Sequence, residues 1–196
     1  MAAFLSFLRA FLLAVVLFPV GLAMHEVMHL AVYSAFGVRA VLLVTSWKLG
    51  LVGTPIFGLH AAPAVGDPPL RVLVVNNGLG PALAAVPLLV LWASVGRRAR
   101  VARAALLANV LVLIFFSCIE LAYPLLEEVA HVDADVLLLP ELNYGGVLLI
   151  MLATTSAAIW RGRPGRRLRL MSGSPGPGRP FQPPAGGSPP GRLPAR

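Results

Sequence analysis

Charge is scarce in this sequence. Only 12% of its 196 residues are acidic or basic, about half the share usual in a soluble domain. The mean hydropathy is +0.82. The shortage of charge excludes an ordinary soluble globular chain, and the apolar content excludes general disorder, which needs low hydrophobicity. Cysteine is nearly absent too: Cys118 alone excludes an internal disulfide framework and a cysteine-based zinc site. Acidic side chains number eight against 16 Lys and Arg, a net charge of +8. Such an excess raises the question of nucleic acid, and the placement of the arginines answers it.

The arginines are clustered. Arg97, Arg98, Arg100 and Arg103 form one group, and Arg161, Arg163, Arg166, Arg167 and Arg169 form another. Between them lie long stretches almost without charge. Val72 to Gly96 and Leu142 to Trp160 have none, Ala104 to Leu126 has only Glu120, and Ala10 to Val38 has only His25, Glu26 and His29. A hydrocarbon core of about 30 Å is crossed by roughly 20 apolar residues in a helix. The pattern therefore predicts an all-α integral membrane protein with about four transmembrane helices.

Four crossings put Arg9 and both arginine clusters on one side. Arg39, Lys48, Arg71 and most of the acidic residues then fall on the other. The excess of arginine marks the cytoplasmic side, so a multi-pass protein of the plasma membrane with both termini cytoplasmic is expected. The basicity reports topology, with the lipid bilayer as partner and no nucleic acid.

Two segments depart from simple spans. Ala40 to Val65 carries β-branched residues, scattered Gly, and Pro55 and Pro63. It reads as a strand-like or re-entrant segment between helices 1 and 2, which is tolerated at the membrane only where protein or water covers its backbone. From residue 161 onward nine of the 18 prolines accumulate, so residues 161–196 are expected to be a disordered, basic Pro/Gly-rich tail after a membrane-embedded domain of residues 1–160.

Inside the first span sits His25-Glu26-Val27-Met28-His29, an H-E-x-x-H. On a helix, positions i and i+4 share a face, so both imidazoles can reach one Zn2+. Glu26 is then the candidate general base for metal-assisted hydrolysis of a peptide bond. Ionisable residues inside a span are costly and mark function. A third ligand is required, and the acidic segment before helix 4 offers Asp133 or Asp135, since Pro140 and Asn143 to Gly146 are expected to break the helix and let the chain dip inward. His131 is a weaker candidate. Glu120, within span 3, reads as a partner that orients a histidine. Cys118 reads as a small core residue, Met24 and Met28 as packing residues, and His60 as a loop residue without companions.

These residues resemble the site-2 protease family of intramembrane zinc metalloproteases, in particular its small bacterial-type members. His25, Glu26 and His29 match the family's first motif completely. Asn77-Gly78-Leu79-Gly80-Pro81-Ala82-Leu83-Ala84 resembles its Gly-Pro helix. Ala84 stands where an Asn usually follows the Pro, and Asn76 and Asn77 are the amides that could replace it. The third motif, a distant Asp, corresponds to Asp133 or Asp135, followed here by Ala134 and Val136. The resemblance covers residues 10 to 160. It implies a three-helix catalytic core, with Asn76, Asn77, Gly80 and Pro81 lining the substrate cleft. It further implies cleavage of transmembrane or membrane-adjacent peptides, and an edge strand within Ala40 to Phe57 that could pair with an extended substrate. Family members cut near the cytoplasmic face, whereas the arginine count puts His25 in the outer half of its span.

The expected function is a zinc-dependent intramembrane endopeptidase acting through a metal-activated water. The alternative is a non-catalytic membrane scaffold of the same architecture, or a metal-binding membrane protein. A transporter is disfavoured, because the spans show no paired halves.

Overall fold

In the computed structural model, residues 1–48 and 55–161 are described. Among them, four helices are long and apolar enough to cross a membrane. They are α1 (Ala2–Ala35), α2 (Leu70–Ser94), α3 (Arg100–Pro124) and α4 (Pro140–Arg161). Between α1 and α2 lie two antiparallel strands, β1 (Ala40–Lys48) and β2 (Pro55–Pro63), paired from Ala40↔Pro63 to Lys48↔Pro55. The mainly helical architecture and the strand-like segment both match expectation. The basic tail lies outside the described residues.

Small side chains let the helices approach closely, as is usual where apolar surroundings offer little hydrophobic drive between helices. Ala14 of α1, Ala105, Ala108 and Val112 of α3, and Val147 and Met151 of α4 form one buried cluster. Ala84, Ala85 and Leu88 of α2 pack with Leu106, Val110 and Leu113 of α3 in another, with Met24 and Met28 against its edge. Thus α3 is the central helix, and the two methionines are packing residues as read from the sequence. Polar stitches fix the register between helices. Asn109 Nδ2, 1% exposed, donates to the Ala14 carbonyl at 3.1 Å, and Ser117 Oγ donates to the Gly78 carbonyl at 2.6 Å. Arg103 donates to the carbonyls of Trp92 and Val95 at the end of α2, its guanidinium 4.2 Å from the Trp92 ring centre. The outward faces remain apolar, with Val16, Val90 and Leu149 all more than half exposed.

A sharp stop ends α1. Gly37 takes φ +71°, and the N–H groups of Gly37 and Val38 close onto the carbonyls of Ser34 and Tyr33. This is the Schellman closure, whose left-handed residue is usually Gly. The turn brings β1 and β2 back against α1.

Two expectations are corrected. Pro140 does not break the last helix but opens it, and α4 runs on through Asn143 to Gly146; a proline is accepted in a first helical turn because that N–H has no helical partner. Cys118 is exposed on α3, since the inward face of that turn belongs to Phe116, Ser117 and Glu120, which meet His25, Gly78 and the histidine pair.

Candidate metal centre

His25 and His29 lie one turn apart on α1 and are 2% and 5% exposed. Their Nε2 atoms converge to 2.6 Å. The partner completing the group is Glu120, near the end of α3. Its Oε1 lies 3.1 Å from His25 Nε2 and its Oε2 3.0 Å from His29 Nε2. One carboxylate and two imidazoles thus face a common point and could hold a metal ion.

Asp133 and Asp135 are not in this group. Both are exposed, in the segment after the π-helical turn Leu125–Val129. There they cluster with Glu127, whose Oε1 accepts from the Ala134 N–H, while Asp133 Oδ1 accepts from the Asp135 N–H. These are local turn contacts. The carboxylate that the structure brings to the two histidines is Glu120, expected from sequence only to orient a histidine, and not Asp133 or Asp135. Its signal was already present: it is the single charge between Ala104 and Leu126.

Helix α2 supplies the wall beside His29. At Gly80, an added Cβ would come 2.5 Å from His29 Nδ1 and 2.6 Å from Cε1. Only a glycine lets the α2 backbone reach the ring. Asn76, 1% exposed, neighbours His29 and Tyr33. Asn77 Nδ2 donates to the Glu120 carbonyl at 3.1 Å, tying α2 to the turn of α3 that bears the carboxylate. The two asparagines thus lie beside the histidines and Glu120 and line the cavity there, whereas Gly80 backs His29 without lining it. Pro81 is fully buried within α2 and does not line the cavity.

The group opens into a cavity of about 730 Å³ that both asparagines, Tyr33, Tyr123 and Tyr144 also line. Tyr33 was missed from sequence, although it continues the series His25, His29, Tyr33 at intervals of four on one helical face. His60 is also corrected: it lies in β2 and lines the cavity, not in an isolated loop. Glu26 is 5% exposed and points to β2, where its Oε2 accepts from the Ala61 N–H at 2.7 Å.

Both histidines leave Nδ1 buried without a hydrogen-bond partner. The fit to a metal ion rests on the other ring nitrogens: both Nε2 atoms and the Glu120 carboxylate lie within 3.3 Å of one another, and two imidazoles with a carboxylate are a donor set that zinc accepts.

No family model, curated protein or solved structure matches the chain.

Proposed function

We propose that this chain is a zinc-dependent intramembrane endopeptidase of the site-2 protease kind, working with a His25, His29 and Glu120 ligand set. The observation that carries the reading is the convergence of these three side chains beside Glu26, in a cavity between helices able to cross a membrane. Two histidines and a glutamate are a donor set that zinc accepts in hydrolases, with bonds of about 2.0–2.2 Å. Donors around such a tetrahedral ion stand roughly 3.3 Å apart. The imidazole–carboxylate separations of 3.0 and 3.1 Å nearly meet that spacing, and a small ring rotation would widen the 2.6 Å imidazole pair.

When bound, zinc supplies a Lewis acid and lowers the pKa of a water. The protein's part is to hold and move protons. Glu26 takes a proton from the attacking water and delivers it to the leaving amide nitrogen, so the carboxylate ends the cycle as it began. Asn76 and Asn77 line the cleft in which an extended peptide would lie. The apolar outer faces suit substrates that share the bilayer.

The test is Glu26→Gln. It is expected to keep stoichiometric zinc and to lose proteolysis of a single-span peptide reconstituted in detergent, whereas His29→Ala loses both. A Glu26→Gln protein as active as the wild type would sink the proposal. Zinc in the wild type without any cleavage would instead select the non-catalytic scaffold.

A further inference from the structure

We infer that the backbone N–H of Ala61 in β2 is the positioning group for Glu26, so that the strand pair aims the general base. The inference rests on the proposed function for the role of Glu26, but its geometry stands independently. Glu26 follows His25 directly on α1, about 100° around the helix from it at 3.6 residues per turn. The turn that presents the imidazoles therefore leaves Glu26 to the side. Glu26 is 5% exposed, and the Ala61 N–H reaches its Oε2 at 2.7 Å.

The strand register explains why this donor is free to do so. In an antiparallel pair, opposed residues alternate between those that bond to each other and those whose N–H and C=O point away. The Ala64 N–H donates to the Arg39 carbonyl at 2.8 Å, which makes Arg39 and Ala64 a bonded pair. The phase then makes Val41↔Ala62 and Leu43↔His60 bonded, and Leu42↔Ala61 non-bonded. Ala61 thus turns its N–H away from β1 and toward α1. Two residues on, Pro63 occupies the next outward position and has no N–H to offer. At this end of β2 the outward edge carries a single donor, and it meets Glu26.

The experiment replaces the Ala61 amide by an ester, incorporating the α-hydroxy analogue of alanine in the full chain, with the same replacement at Ala62 as control. The Ala61 ester removes the donor to Glu26 and weakens the His60 carbonyl as a ladder acceptor, whereas the Ala62 ester removes a ladder donor and leaves the Glu26 contact in place. Turnover of labelled casein in detergent is expected to fall about tenfold or more for Ala61, with KM and zinc content unchanged, and to change little for Ala62. Ala61→Pro gives a genetic version, since its N–H is outside the ladder. A second readout needs no activity: amide exchange at Ala61 is expected to be slow in the wild type and fast in Glu26→Ala, while Ala62 stays protected in both. Unchanged or increased turnover in the Ala61 ester, or exchange at Ala61 indifferent to Glu26, would overturn the inference. An active Glu26→Gln protein would instead overturn the role of Glu26, leaving the exchange result to decide the contact alone.

Discussion

Gly80 lies flat against the imidazole of His29, so close that a Cβ on Gly80 would stand 2.5 Å from Nδ1. The α2 backbone therefore sets the ring's position. Gly80→Ala must push the ring, and a displaced ligand typically costs about 10–100-fold in metal affinity. Competition against a chromophoric zinc chelator measures the loss. An affinity equal to the wild type would mean that His29 needs no support from α2.

The acidic residues of the chain can be separated by one measurement. Glu120→Ala removes the carboxylate 3.0–3.1 Å from both Nε2 atoms, and the proposed ligand set predicts that the purified variant holds no zinc. Asp133→Ala and Asp135→Ala change exposed side chains in a separate cluster and are expected to keep about one ion per chain, the stoichiometry of a single tetrahedral site. Elemental analysis of the detergent-purified proteins gives the answer. Loss of metal in either aspartate variant with retention in Glu120→Ala would restore the ligand set expected from sequence.

That contrast shows where the sequence was legible. Charge-free runs announce helices long and apolar enough to cross a membrane, because a bilayer's thickness fixes the length required, and β-branched residues interrupted by Gly and Pro announce the strands. His25 and His29 could be paired because four residues on one helix is a local distance. The third partner is a matter of how α1 and α3 pack, 95 positions apart in the chain from His25 to Glu120, and no local period encodes it. His60 and Ala61 were missed for the same reason. Their place depends on the strand pair turning back over α1, which Gly37 makes possible and the sequence pattern does not reveal.

Neighbouring glycines in α4 should behave oppositely. Nothing lies within 4 Å of a Cβ built on Gly145, while one on Gly146 would collide with the Phe115 ring. Gly145→Ala is expected to raise stability by about 0.4–1 kcal/mol, by restricting the unfolded chain. Gly146→Ala overpacks the α3–α4 contact and is expected to lower it by about 1–3 kcal/mol. Thermal unfolding in one detergent compares them directly. Equal midpoints would mean that α4 does not depend on close approach to Phe115.

Topology decides to which side of a membrane the cavity opens. Ser34 lies in the last turn of α1 and Ser94 ends α2, and both are exposed. With α1 and α2 crossing in succession, the two serines fall on opposite sides. Arg97, Arg98 and Arg100 follow Ser94 closely, so the excess of arginine predicts a cytoplasmic location for that end. His29 lies five residues before Ser34, about 8 Å along the helix, and the same orientation predicts that the candidate metal group lies in the outer half of the span. In a Cys118→Ser background, Ser34→Cys is expected to react with an impermeant maleimide on intact cells, and Ser94→Cys only after permeabilisation. The reverse labelling would turn the cavity toward the cytoplasm, where the family resemblance puts cleavage, and would show that the arginines do not set this protein's orientation.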